Sequence, residues 1–275
     1  MGIYYINGQF VEEDAAFLPV SDLAIIRGYG VFDFFRTYGG KPFHINDHLR
    51  RLQNSAQLIG LACPWNVEEL SDIVFQTLER NDYPESNVRL LITGGDSEDG
   101  ISPGENPRLL VLVTPAKRFP DQWYQDGVRI ITSKLHRYIP GAKSIDYIRA
   151  IMTLRDGQEV GAVESLYLDG EDNVLEGTTS NIFAVLDTRV VTPAEDILPG
   201  ITRDVVLKIC KSDFAIEPRS ISRQELLGAD EVFLASSNKE ILPVRQVDDQ
   251  LIGNGEPGVV TKQVMKLFKT YTDHY

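Results

Sequence analysis

Short apolar runs broken by two-residue turn signals constrain this chain more than any other feature. Tyr4 to Val11 has Asn7-Gly8 at its centre, the dipeptide that closes a two-residue hairpin. Val31 to Tyr38 ends at Gly39-Gly40 and Asn87 to Thr93 ends at Gly94-Gly95, so both read as strands. On the first of these Phe32, Phe34, Arg36 and Tyr38 share one face, because strand side chains alternate. The same reading covers Leu109 to Val113, Val128 to Thr132, Ser165 to Leu168, Asn181 to Leu186, Val190 to Thr192, Glu231 to Ala235 and Leu242 to Val247. Between them, apolar residues recur at helical spacing: Leu49, Leu52, Ala56 and Ile59 behind an Asn46-Asp47 cap, and then Val67 to Arg80. Further helices are expected from Ile145, from Gly200 and over Val259 to Tyr271. Strands and helices in both halves predict an α/β or α+β fold. Residues 115–122, with two prolines and Lys117-Arg118, read as a linker between α/β domains at 1–114 and 123–275.

Charge narrows the partners. Forty acidic residues against 27 basic ones leave a net charge of −13, which repels nucleic acid and anionic membrane surfaces. Cys63 and Cys210 stand far apart, and the four histidines form no ligand spacing, so no metal is expected. The opening Met-Gly-Ile-Tyr-Tyr-Ile lacks the basic and apolar regions of a signal peptide. No apolar run approaches the ~18 residues that cross a bilayer. A cytoplasmic location is the expectation.

Five places carry chemistry. Tyr138 to Ile148 centres on Lys143, with Pro140-Gly141 before it and Ser144 as the expected N-cap of the helix from Ile145. A lysine just ahead of a helix start meets the positive end of the dipole, which should lower its pKa and suit it to Schiff-base chemistry. A solvated loop lysine is the plain alternative. Leu198-Pro-Gly-Ile-Thr-Arg203 enters a helix with Gly and Thr in its first turn, an arrangement suited to phosphate. Ala235-Ser-Ser-Asn238 follows a strand end, where a turn and hydroxyls can also cradle an anion. Arg51 offers a two-pronged cation, or alternatively a surface ion pair with Asp47. In Val174 to Phe183, Glu176 and a polar run lie between two apolar strands; read as a loop, it makes a floor for a polar heterocycle whose ring nitrogen Glu176 keeps protonated.

In order and separation these segments resemble the class IV (fold type IV) aminotransferases, pyridoxal 5'-phosphate enzymes. The group includes D-amino acid aminotransferases, branched-chain aminotransferases and aminodeoxychorismate lyases. The resemblance runs from Ile6-Asn7-Gly8 to Gly258. It rests on Arg27-Gly-Tyr-Gly-Val-Phe-Asp, Asp47-His-Leu-Arg-Arg-Leu, Lys143-Ser-Ile-Asp-Tyr, Leu175-Glu-Gly-Thr-Thr-Ser-Asn-Ile-Phe and Leu198-Pro-Gly-Ile-Thr-Arg. It implies a two-domain fold of the D-amino acid aminotransferase kind, a homodimer, bound pyridoxal phosphate, and amino acid and 2-oxo acid substrates. It also implies that Lys143, expected in the C-terminal domain, forms the Schiff base and shuttles the proton, and that Glu176 pairs with the pyridinium nitrogen. Arg51, Ile201, Thr202, Ser236 and Ser237 match the phosphate cup, and Thr179 joins the cofactor set. Tyr147 resembles a tyrosine that branched-chain enzymes hold near the cofactor's phenolic oxygen.

Departures bear on the substrate. Phe32 stands where the family usually has a substrate-contacting tyrosine, and Gly94 where well-studied D-amino acid enzymes have a carboxylate-binding arginine. Arg89 aligns with an arginine of branched-chain enzymes. Arg27 lies in a loop that in this family approaches the partner subunit's site. The expected activity is transamination with D-amino acids such as D-alanine or D-glutamate. Its rivals are a branched-chain L-amino acid aminotransferase, a lyase, and a cofactor-binding protein without turnover.

Overall fold

A computed structural model describes residues 2–275. The chain forms two compact units: residues up to Lys117 with Gly141–Tyr147 and Tyr275, and Arg118–Pro140 with Ile148–His274.

The first unit comprises β1 (Ile3–Ile6), β2 (Gln9–Glu12), α1 (Leu23–Arg27), β3 (Gly30–Tyr38), β4 (Lys41–Pro42), α2 (Ile45–Leu58), α3 (Val67–Leu78), β5 (Ser86–Thr93) and β6 (Arg108–Pro115). Its antiparallel sheet has the order β2-β1-β6-β5-β3-β4. The expected Asn7-Gly8 turn is present, both residues having positive φ. Val31 and Phe35 on one face of β3 pack with Leu49, Leu52 and Ala56 of α2 into the core. Asn66 and Glu69 form a reciprocal capping box at the start of α3. The N-cap of α2 is His44, in left-handed conformation and without a side-chain cap, rather than the expected Asn46-Asp47.

The second unit comprises α4 (Asp121–Asp126), β7 (Val128–Lys134), α5 (Ile148–Glu159), β8 (Glu164–Leu168), β9 (Val174–Gly177), β10 (Asn181–Leu186), β11 (Arg189–Thr192), α6 (Ile201–Ile209), β12 (Ile216–Pro218), α7 (Arg223–Leu227), β13 (Glu231–Ser236), β14 (Glu240–Val247), β15 (Gln250–Leu251) and α8 (Val259–Asp273). Its mixed sheet runs β12-β11-β10-β13-β14-β7-β8-β9, with β15 paired to β14. Both faces of the central strands are apolar and buried, as helix-covered sheets require.

Three further expectations change. The helix after Lys143 begins at Ile148, not Ile145, so Ser144 is no N-cap and Lys143 does not sit at a helix start. The reason is a long-range pairing: Ser144 bridges Val31, the Phe32 amide donates to Lys143 O at 2.9 Å, and the Ile145 amide donates to Gly30 O at 3.1 Å. That pairing also places Lys143 in the first unit rather than in the expected C-terminal domain. Glu176 lies on strand β9 rather than in a loop.

Candidate active site

The Arg27-Gly-Tyr-Gly motif builds the seat for Lys143. Gly28 ends α1 with φ 67°, a left-handed C-cap that disfavours any side chain. At Gly30 a Cβ would lie 2.8 Å from Ile92 O and 3.0 Å from Ile145 Cδ1, so only glycine lets the Lys143 segment approach β3. Ser55 of α2 accepts from the Lys143 amide at 3.0 Å and donates to Arg51 O at 2.8 Å.

Phe32 is the hub of this face. Lys143 Nζ lies 4.7 Å from its ring centroid, Arg89 Cζ lies 5.1 Å from it, and Tyr147 meets it edge-on at 5.5 Å. Arg89 is cross-strand from Phe34 and also lies over that ring, at 5.4 Å. Although Arg89 is exposed along one edge, desolvation against the rings pushes its pKa down, with Tyr147 opposing. Arg89 forms no ion pair among the described residues. Gly94, at the position of the missing arginine, is packed shut: a Cβ there would lie 2.6 Å from the Tyr29 ring. Arg27 is the last residue of α1, not a loop residue; it is exposed, donates to Ile26 O, and makes no described contact with the Phe32 group.

Arg51 is buried, and its partner is Asp33 rather than Asp47. Its Nε and one terminal nitrogen donate to the two Asp33 oxygens at 2.9 and 2.8 Å. His48 Nδ1 meets Asp33 Oδ1 at 2.7 Å, and its Nε2 is buried without a partner among the described residues. Asp47 instead serves His44 and Arg50.

In the second unit the polar residues collect at one end of the sheet. Glu176 is buried, and its Oε1 accepts from Arg137 Nε at 2.9 Å and from a terminal Arg137 nitrogen at 2.6 Å. Its Oε2 accepts from the Leu198 amide at 3.0 Å. Asn181 donates to Leu198 O at 3.0 Å, and its side chain lies so near Gly200 that a Cβ there would be 1.8 Å from Asn181 Oδ1. This contact joins the Ser-Asn-Ile-Phe and Leu-Pro-Gly-Ile-Thr motifs. Asn181 also pairs with Ala235, just before Ser236 and Ser237. Helix α6 starts after Gly200 with no side-chain cap, and Ile201 and Thr202 are buried in its first turn. Thr179 is exposed, and its hydroxyl donates to Glu164.

Sequence reading missed Asp33, His48, Ser55, Arg137, Glu164 and Lys239. For His48 a signal existed: three residues before Arg51, it shares the apolar face of α2 with Leu49 and Leu52.

The family model for amino-transferase class IV matches residues 30–247. A Methanocaldococcus jannaschii protein assigned to the branched-chain-amino-acid aminotransferases is 33% identical, covering 96% of this chain and 94% of its own. The D-alanine aminotransferase of Bacillus licheniformis is 32% identical over 94% of this chain and 93% of its own. The Escherichia coli branched-chain amino acid aminotransferase superposes with a TM-score of 0.92 at 27% identity, covering 98% of this chain and 94% of that one. The chain belongs to the class IV aminotransferases, and it is a fold type IV, pyridoxal 5'-phosphate-dependent transaminase. The second unit's polar end fits that cofactor: an uncapped helix start suits a phosphate, and a buried, doubly held carboxylate suits a ring nitrogen. Among the described residues no helix is long and apolar enough to cross a membrane.

Proposed function

We propose that this chain moves amino groups between D-amino acids, D-alanine and D-glutamate among them, and 2-oxo acids. The D preference rests on the Arg27-Gly-Tyr-Gly-Val-Phe-Asp-Phe-Phe segment, which resembles the D-amino acid members of the family. The observation that carries the carboxylate site is Arg89, an exposed guanidinium without an acidic partner among the described residues, on the same Phe32 ring as Lys143. A desolvated cation beside aromatic rings calls for an anion, and a substrate carboxylate is the anion every donor brings. Arg27, also without an acidic partner among the described residues, is the second carboxylate contact in this reading. It serves the distal group of a dicarboxylate.

When bound, pyridoxal phosphate supplies the carbonyl that takes the amino group and the ring that accepts electrons as the Cα proton leaves. Lys143 holds that proton at Nζ and moves it. Glu176, oriented by Arg137 and the Leu198 amide, keeps the ring nitrogen protonated. Ile201, Thr202, Ser236, Ser237 and Arg51 bind the phosphate, Thr179 adds a cofactor contact, and Tyr147 serves the phenolic oxygen. Phe32 excludes water beside Nζ and leaves no hydroxyl to compete for it. A branched-chain L-amino acid reading draws on Arg89, which aligns with an arginine of those enzymes, and on Tyr147, whose edge-on pair with Phe32 makes an apolar wall suited to leucine or valine.

The arginines test the substrate contact. Arg89→Ala and Arg27→Ala should each lose ~2–4 kcal/mol in kcat/KM with D-glutamate, with cofactor affinity little changed. Unchanged kcat/KM would return Arg89 to the surface. A homodimer belongs to the same proposal, supported by Ile148, Ile151 and Met152, exposed together on α5. So does a cytoplasmic location, with which two free cysteines agree; burial, with Asp213 adding to it, pushes the Cys210 thiol up to about 11.

A further inference from the structure

Glu164 of β8 is buried, and a second lysine, Lys239, is buried with it. Lys239 Nζ donates to Glu164 Oε2 at 2.7 Å and to Thr179 Oγ1 at 2.5 Å. The same carboxylate accepts from the Thr178 hydroxyl, from the Thr179 amide at 3.0 Å, from the Thr179 hydroxyl at 2.9 Å and from the Ser180 hydroxyl at 3.3 Å. The loop after Glu176 is thus wrapped around one buried anion. Gly177 makes the wrap possible, since a Cβ there would lie 2.5 Å from Ser180 Oγ and 3.0 Å from Glu164 Cγ. At its other end Lys239 closes the turn that carries the paired serines. Its amide donates to Ser236 Oγ at 3.3 Å, and Ser236 Oγ donates to Asn238 at 3.0 Å. The Tyr124 hydroxyl fixes the Lys239 carbonyl at 3.1 Å.

We propose that Lys239 and Glu164 are positioning residues for cofactor binding: the pair ties the 236–239 turn to the 177–180 loop and cancels a carboxylate charge beneath them. The inference rests on the reading that Thr179, Ser236 and Ser237 hold the cofactor. Two buried carboxylates lie at this end of the second unit, and each has its own cation, Arg137 for Glu176 and Lys239 for Glu164. Without Lys239 an uncompensated anion would sit among the groups meant to receive a phosphate dianion. The loop and the turn would also lose their one shared charged donor. Neither effect involves contact between Lys239 and the cofactor.

The test is pyridoxal 5'-phosphate affinity, read by absorbance and by the induced circular dichroism of the bound cofactor, with melting of the cofactor-free protein followed in parallel. Lys239→Met should weaken binding by about tenfold or more and change the dichroism, because a charged hydrogen bond is lost. Lys239→Arg, which keeps charge and donors, should recover most of the affinity. Glu164→Gln combined with Lys239→Met removes both charges, so it should fold even where Lys239→Met does not. It should still bind several-fold more weakly than wild type, because the tie is gone. A folded Lys239→Met protein with wild-type affinity and dichroism would overturn the proposal, as would wild-type affinity in the double variant. Ser236→Ala separates the two levels. Weakened binding there beside unchanged Lys239→Met removes only the positioning role, whereas unchanged binding in both removes the cofactor assignment of the turn.

Discussion

Lys143→Ala should lose transamination by roughly 10³-fold or more, because no other group in this account holds the Cα proton. The fold should survive. What anchors this segment is backbone: the Lys143 amide to Ser55 Oγ and the Lys143 carbonyl to the Phe32 amide, both of which alanine retains. The side chain adds its approach to the Phe32 ring, an interaction of about 0.5–1 kcal/mol. Borohydride treatment of the wild-type holoenzyme should fix the cofactor on the peptide containing Lys143. A labelled peptide with a different lysine would contradict the assignment, and so would substantial turnover by Lys143→Ala.

Asp33→Ala should destabilise the first unit by about 3–5 kcal/mol, since it strands the buried Arg51 guanidinium without its carboxylate. Trp65 lies in the first unit and Trp123 in the second, so tryptophan fluorescence in a Trp123→Phe background reports this unit alone. The same cluster predicts acid sensitivity. Burial raises the Asp33 pKa, but the Arg51 charge and the hydrogen bonds from Arg51 and His48 outweigh it, holding the carboxyl below its usual range. Such a group adds stability that is present above its unfolded pKa, near about 3.9, and lost as pH falls through the folded value. Burial lowers the His48 pKa, with Asp33 opposing, so the folded unit keeps the imidazole neutral. Stability should therefore begin to fall below about pH 6.5, where the unfolded chain takes up that proton. His48→Gln should remove this first stage and leave the second. A wild-type unit equally stable at pH 7 and pH 5, or an Asp33→Ala loss under about 1 kcal/mol, would show that the cluster adds little.

What was legible from sequence follows from how far its cause reaches along the chain. The Asn7-Gly8 hairpin and the Gly200 entry to α6 were readable because turn chemistry acts over a few residues. The Ser144 cap failed because pairing with Val31, far away in sequence, overrides local helix preference. The short helix α1 went unread, although its Asp22 cap was visible, because five residues give too little periodicity. For the candidate site, local turn and charge chemistry picked out the segments of Lys143, Glu176 and the phosphate cup, and the resemblance gave their residues roles. The groups that hold them were hidden. Arg137 meets Glu176 across 39 residues and Lys239 meets Glu164 across 75, and neither spacing leaves a pattern in one sequence. Asp33 was masked by the phenylalanines on either side of it, which read simply as an apolar strand.

The proposed preference for D-amino acids can be tested in one half-reaction experiment. Purified holoenzyme is mixed in turn with D-alanine, D-glutamate, L-leucine and L-valine, without an acceptor, and the bleaching of its yellow absorbance is timed. D-alanine and D-glutamate should bleach it rapidly and the L-amino acids slowly. Rapid bleaching by L-leucine or L-valine, with both D-amino acids inert, would contradict the proposal and make the chain a branched-chain aminotransferase.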